Sequence, residues 1–159
     1  MKEKGNKILL AIPAVIFCAD GIVKHLIDRK MKPDEPKEIF GGRLILQKHY
    51  NKGALLGILA SKPRAVVLLQ SIFLSAAVMC YAALFSQKGK TGLKISFGMF
   101  LGGGLCNLYD RFRKQHVVDY IKIPVKSKRL SKVIFNISDI FIFAGAVLTA
   151  FLGDSEREE

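Results

Sequence analysis

Four stretches of the 159-residue chain are apolar over lengths that suit a bilayer: Ile8–Ile27, Ala65–Phe85, Thr91–Leu108 and Val133–Leu152. A crossing needs about 20 mostly apolar residues, because the hydrocarbon core is about 30 Å thick. The first stretch stays apolar until Asp20, Lys24 and His25, and the second holds no charged residue. The third carries only Lys94, close enough to an end to snorkel, and is the shortest and richest in glycine. The fourth is interrupted only by Asp139. The pattern predicts an integral membrane, all-α protein of four transmembrane helices, forming a single domain over residues 1–159.

The intervening segments are unequal. Residues 28–64 form a long loop that opens on Lys32-Pro33-Asp34-Glu35-Pro36 and passes Gly41-Gly42 into Arg43-Leu44-Ile45-Leu46, which reads as a strand. The link at 86–90 is short. Residues 109–132 form a second long loop, and its alternating, β-branched run from His116 to Ile123 predicts another strand, ended by Pro124. The acidic tail after Leu152 is expected to fray.

Composition sharpens this picture. Half the residues are hydrophobic and the mean hydropathy is +0.27, yet the net charge is +12, so charge is segregated into the loops. Counting Lys and Arg would put both long loops in the cytoplasm. The N-terminus and the 86–90 link are basic too, so charge alone leaves the orientation open. Loop basicity fits contact with anionic headgroups or a merely solvated loop equally well. Lys2, Lys4 and Lys7 before an apolar run also fit a signal peptide, but no A-x-A-like site follows and charges occupy the run's second half. Cys18, Cys80 and Cys106 all lie in apolar segments and are expected to be buried, unpaired thiols.

In an up-down bundle, the end of span one, the start of two, the end of three and the start of four share one face. Asp20 and Lys24, Asn51 and Gly53, Asn107, Asp110 and Arg111, Asp119, and Asn136 and Asp139 all belong to that face. An aspartate at the centre of a span costs about 2.5–3.5 kcal/mol on insertion scales, so such groups are paired or used. Asp20 and Lys24 are spaced to pair across one helical turn. Asn136 and Asp139, three apart in the first turns of span four, are expected to point the same way. Taken singly, each residue also fits a role in holding helices together by hydrogen bonds.

Few chemistries suit this set. No H-E-x-x-H zinc spacing accompanies His25, His49 and His116, no G-x-S-x-G elbow is present, and no nucleotide or nucleic-acid motif appears. Carboxylates remain: Asp20, Asp110, Asp119 and Asp139. Two of them a few ångströms apart share a proton, so that one activates a water while the other donates to a scissile carbonyl. This points to aspartic-type hydrolysis with no metal and no cofactor, but does not choose the pair.

The motifs resemble those of the bacterial lipoprotein signal peptidases, signal peptidase II. Asp20-Gly21-Ile22-Val23-Lys24 is similar to the family's D-Q-x-x-K, and Asn51-Lys52-Gly53-Ala54 to its N-x-G-A. Gly103-Gly104-Leu105-Cys106-Asn107-Leu108-Tyr109-Asp110-Arg111 with Val117-Val118-Asp119-Tyr120 resembles G-G-x-x-G-N-x-x-D-R…V-V-D-F, and Phe135-Asn136-Ile137-Ser138-Asp139 resembles F-N-x-A-D. The resemblance implies that Asp119 and Asp139 are the catalytic dyad. It implies that Asp20, Lys24, Asn51, Gly53, Asn107, Asp110, Arg111 and Asn136 bind substrate or support the site. It further implies a multi-pass protein of the bacterial cytoplasmic membrane, both termini cytoplasmic, with a small extracytoplasmic β-rich element in the first long loop lying over the site. Its partners would be diacylglyceryl-prolipoproteins, cut before the lipidated cysteine, and membrane lipids; it would act as a monomer and bind no nucleic acid.

Departures from the pattern are Gly21 for Gln, Leu55-Leu56 for a small residue and an aromatic, Cys106 for Gly and Ser138 for Ala. None removes a carboxylate. Leu55 and Leu56 are expected to alter substrate preference, and Cys106 to loosen the packing of span three, whose Gly98-x-x-x-Gly102 would let helices approach closely. Two other functions fit the composition. A non-hydrolytic lipopeptide-binding relative has no need of two costly acids, and an ion-coupled carrier would spread its polar residues across the bilayer.

Overall fold

The computed structural model describes residues 2–33, 35–54, 58–127 and 130–155. Asp34, the variant Leu55-Leu56 pair and the end of the acidic tail lie outside the described residues. The chain is mostly helical: α1 (Lys2–Lys30), α2 (Pro63–Ser86), α3 (Thr91–Lys114) and α4 (Ile137–Ser155). Within α1 and α2, Ile8–Lys30 and Pro63–Ser86 are long and apolar enough to cross a membrane, and Ile137–Gly153 is a shorter apolar helix.

The weak hydrophobicity of α3 follows from its position. It packs against α4, α1 and α2, so its polar and glycine residues face protein while Leu105, Tyr109 and Phe112 stay exposed. A Cβ on Gly102 would stand 2.8 Å from the Pro13 carbonyl oxygen of α1, and one on Gly103 would strike the Ser138 carbonyl of α4. Only hydrogen at these positions lets both backbones approach, as the Gly98-x-x-x-Gly102 spacing predicts. Leu74, Ala77 and Tyr81 of α2 complete an apolar cluster with Leu101 of α3.

The described residues also form a four-stranded antiparallel sheet ordered β1 (Lys37–Ile39), β2 (Leu44–Asn51), β3 (Val117–Lys122) and β4 (Ile134–Phe135). The left-handed backbone of Phe40, Gly41 and Gly42 turns β1 into β2. Gln115, at φ 63°, ends α3 with its N–H on the Arg111 carbonyl at 3.1 Å, so β3 begins two residues later. Val118 and Tyr120 of β3 pack on Ile27 and Met31 at the end of α1, and Tyr50 of β2 donates to Asp28 at 2.7 Å. The sheet is thereby fastened over one end of the bundle.

Three expectations change. The β-rich element is not confined to the first long loop; β3 and β4 come from the second, because β3 finds its partner in β2. The fourth helix starts at Ile137, not Val133, because Ile134 and Phe135 pair with β3, which leaves Asn136 outside the helix. Cys106 is buried, but Cys18 and Cys80 are exposed thiols on the outer faces of α1 and α2.

Candidate active site

Asp119 lies on β3, with His49 of β2 opposite it in register and Asn51 opposite Val117. Asn51 and Asp119 are therefore diagonal neighbours on one face of the strand pair, within reach of each other's side chains. The Asn51 Nδ2 amide donates to Asp119 Oδ2 at 3.0 Å, and its Oδ1 accepts the Gly53 N–H at 3.0 Å. That local turn is held from α3, where Arg111 Nη2 donates to the Gly53 carbonyl at 2.7 Å. Arg111 Nη1 also donates to Gln70 Oε1 of α2 at 3.0 Å, and Gln70 Nε2 donates to the Gly104 carbonyl at 2.9 Å.

Asp139 is placed by the start of α4. Its N–H donates to Asn136 Oδ1 at 2.8 Å, and the Asn136 N–H donates to Asp139 Oδ2 at 3.0 Å. This is the reciprocal geometry of a capping box, in which the residue before the helix and the third residue within it satisfy each other's backbone donors. Asn136 then uses its remaining amide hydrogens outside the helix: Nδ2 donates to Asp119 Oδ1 at 2.7 Å and to Asn107 Oδ1 at 3.3 Å. One fully buried asparagine thus contacts both carboxylates.

Asn107 of α3 supplies the last donor, from Nδ2 to Asp139 Oδ1 at 2.8 Å. Lys24 Nζ donates to Asn107 Oδ1 at 2.6 Å. An ammonium has only donors, so it holds the amide oxygen toward itself and the NH₂ toward Asp139. Each of the four carboxylate oxygens of Asp119 and Asp139 therefore receives one N–H donor. Second lone pairs remain on each.

The other predicted residues support this centre without touching it. Asp20 is buried and binds Lys24 Nζ at 2.9 Å, as the i, i+4 spacing predicts. It also accepts the Ser138 hydroxyl and, at 2.7 Å, the Tyr120 hydroxyl. Tyr120 Oη in turn accepts the Ile137 N–H at 3.2 Å, at the mouth of α4. Asp20 thus ties the strand carrying Asp119 to the helix carrying Asp139. Asp110 lies 3.2 Å from Lys24 and 3.4 Å from Lys114, three contacts from the dyad by way of Lys24 and Asn107. Cys106 packs its buried thiol beside the same ion pair, 3.5 Å from Asp20 Oδ2 and 3.6 Å from Lys24 Nζ.

Burial sets the acidity of the centre. Asp119 is 2% exposed and Asp139 is half-buried. Burial first, and the charge of Asp139 second, push the Asp119 carboxyl up to about 7, against the opposing pull of Asn51, Asn136 and Lys24. The Tyr120 phenol is pushed well above its ordinary range by burial and by Asp20, so it stays a donor. Among the described residues no cluster of His, Cys, Asp and Glu could hold a metal ion.

Sequence reasoning did not single out Gln70, Tyr120 and Ser138. Gln70 could have been found as an amide on a helix otherwise long and apolar enough to span, where an unpaired polar group is costly. Tyr120 and Ser138 stood within the family-like blocks, Ser138 as a departure from Ala, but neither was given a role in the site.

Comparison with known proteins gives consistent results. The family model described as signal peptidase (SPase) II matches residues 12–153. A protein of Caldicellulosiruptor bescii named lipoprotein signal peptidase is 34% identical over 136 residues, 86% of this chain and 83% of that protein. Proteins of the same name from Moorella thermoacetica and Halothermothrix orenii are 28% and 29% identical, over 87% and 84% of this chain and 87% and 86% of their own. A bacterial membrane enzyme solved by the in meso method at 2.3 Å resolution shares the fold with a TM-score of 0.78 at 24% identity, over 96% of this chain and 92% of that one.

Proposed function

The chain belongs to the signal peptidase II family of membrane peptidases, and from that premise we propose that it removes signal peptides from diacylglyceryl-modified prolipoproteins, cutting before the lipidated cysteine with Asp119 and Asp139 as the dyad. The observation that carries the dyad is Asn136, which hydrogen-bonds to Asp119 at 2.7 Å and to Asp139 at 3.0 Å.

Asp119, whose carboxyl is raised to about 7, holds the shared proton, and the less buried Asp139 is the carboxylate. Asp139 accepts a proton from water as the water oxygen attacks the scissile carbonyl carbon. Asp119 donates its proton to the carbonyl oxygen, giving a neutral tetrahedral intermediate. Asp139 then returns its proton to the amide nitrogen as the C–N bond breaks, and Asp119 recovers its own as the carbonyl re-forms. Lys24, Arg111, Gly53 and Gln70 keep the asparagine donors aimed, Asp110 helps hold Lys24, and Asp20 and Tyr120 keep β3 and α4 in place.

All four helices cross the membrane as one domain spanning residues 1–159, with both termini cytoplasmic, the sheet and dyad at the outer surface, and the protein acting as a monomer. Support comes from the end of the bundle shared by Asp20, Lys24, Asn107, Asp119, Asn136 and Asp139, where a lipid-anchored substrate presents its cleavage site. Purified protein in detergent, given a diacylglyceryl-modified prolipoprotein, should release the shortened product. Asp119→Asn and Asp139→Asn should each lower kcat by about a hundred- to ten-thousandfold, as for loss of a general acid or base. Full activity in either variant would remove that residue from the dyad.

A further inference from the structure

A second site lies on the flank of the bundle, away from the dyad. A cavity of about 280 Å³ opens between α1 and the last turns of α3. Cys106 and Asp110 form its floor, and His25, Arg113 and Lys114 surround its mouth. Gly21 lines its α1 side, and a Cβ built there meets nothing within 4 Å. The space exists because position 21 carries no side chain. Phe17 and Tyr109 close the lower end, their rings edge to face with centroids 5.6 Å apart.

The same two rings head a larger, almost wholly apolar groove of about 570 Å³. Leu10 and Pro13 of α1 wall it on one side, and Leu105, Leu108 and Phe112 of α3 on the other. Leu10 to Phe17 is seven steps along α1, which at 1.5 Å per residue makes the groove about 10 Å long. One leaflet of a hydrocarbon core about 30 Å thick offers about 15 Å. Groove and cavity together present a greasy slot of leaflet depth with a cationic rim.

The rim cations differ: Lys114 is spent on Asp110 and Asp28, whereas Arg113 is not. Asp110 on the floor is shared between Lys24 at 3.2 Å and Lys114 at 3.4 Å, and Lys24 is also paired with Asp20 at 2.9 Å, so these charges offset one another within the fold. Lys114 also reaches Asp28 at 3.6 Å. Arg113 is exposed and has no acidic partner among the described residues. Its planar fork of N–H donors suits the oxygens of a phosphate.

We propose that this cleft between α1 and α3 binds an anionic phospholipid, its phosphate between Arg113 and His25 and one acyl chain lying past Phe17 and Tyr109 into the groove. Charge complementarity selects the headgroup, and the apolar groove continuous with the cavity selects a lipid over a soluble anion. Bound there, the lipid bridges the two helices that carry Lys24 and Asn107, and so stiffens the support of the site without taking part in the reaction.

Native mass spectrometry of the protein released from micelles holding equal amounts of phosphatidylglycerol and phosphatidylcholine tests this. Wild type should retain a single phosphatidylglycerol in preference to phosphatidylcholine. Arg113→Gln should weaken that preference by about fivefold, the effect of one basic side chain at a membrane surface. Gly21→Gln, whose side chain enters open space and fills the cavity, should lower retention of the bound lipid further while the thermal unfolding midpoint in detergent holds. Equal retention of the two lipids by wild type would overturn the proposal and mark the groove as ordinary lipid contact. So would phosphatidylglycerol retention at the wild-type level in both variants.

Discussion

Asp119 is the residue whose surroundings most directly govern pH dependence. Its carboxyl lies at about 7 instead of its ordinary 3.8, because burial and the Asp139 charge penalise ionisation more than Asn51 and Asn136 favour it. If the dyad needs one proton, kcat should fall on the alkaline side of an apparent value near 7. A rate that stays level from neutral pH to well above it would refute the assignment of that proton to Asp119. Stability follows the same group. Below 3.8 both folded and unfolded chains hold the proton; between 3.8 and about 7 only the folded chain does. The stabilisation is therefore full in acid and is lost as pH rises through about 7. The apparent unfolding temperature should decline over that interval, and Asp119→Asn should flatten the decline. Asn136 carries three tasks at once, since it caps α4, orients Asp139 and donates to Asp119. Asn136→Ala should cost about 1 kcal/mol as a lost cap. Its effect on kcat should greatly exceed what that loss of stability explains, which a comparison of rate and unfolding midpoint at one temperature would check.

At the scale of elements, the sequence was most legible where physics makes a residue expensive. Asp20, Lys24, Asn107 and Asp139 stood out because charge and amide groups in apolar segments need partners, and the structure gives each one, whereas Asp119, in a loop segment, was paired with Asp139 only by the family-like motif. Strand β3 was legible from its alternation, and the start of β2 from the run Arg43-Leu44-Ile45-Leu46. Strands β1 and β4 were not, since three and two residues are too short for a period, and their pairing is decided by chain segments far away. The same long-range pairing explains Asn136. Local pattern put it inside a helix, but Ile134 and Phe135 are claimed by β3, so the helix starts later and the asparagine becomes its cap. Helix contact was legible in α3 through its glycines, which leads to a prediction at this scale. A Cβ on Gly103 runs into the Ser138 carbonyl, whereas one on Gly153 meets nothing within 4 Å. Gly103→Ala should destabilise by about 1–3 kcal/mol through overpacking, and should depress activity because Ser138 neighbours Asp139. Gly153→Ala should leave both unchanged, so equal unfolding midpoints for the two variants would show that α3 and α4 are not in close contact there.

At the scale of the whole molecule, the proposed orientation of the bundle can be weighed against its charges. Simple counting of Lys and Arg favours long loops in the cytoplasm, but counting treats every cation as free. In the fold many are not. Lys48 lies 3.8 Å from Asp28, and its ammonium donates to the Asp28 carbonyl at 2.9 Å. Lys114 sits between Asp28 and Asp110, and Lys32 pairs with Glu35 at 3.0 Å. Part of the basic charge of these loops is thus held within the fold, while Lys88 in the tight link between α2 and α3 is exposed. With the termini and that link inside, the dyad faces the side to which exported lipoprotein precursors are delivered. Single cysteines test this directly. In a background of Cys18→Ala and Cys80→Ala, with buried Cys106 retained, Lys126→Cys should react with a membrane-impermeant maleimide in intact cells. Lys88→Cys should react only after the membrane is opened. The opposite pattern would invert the protein, and would place the carboxylates of Asp119 and Asp139 where no translocated substrate could reach them.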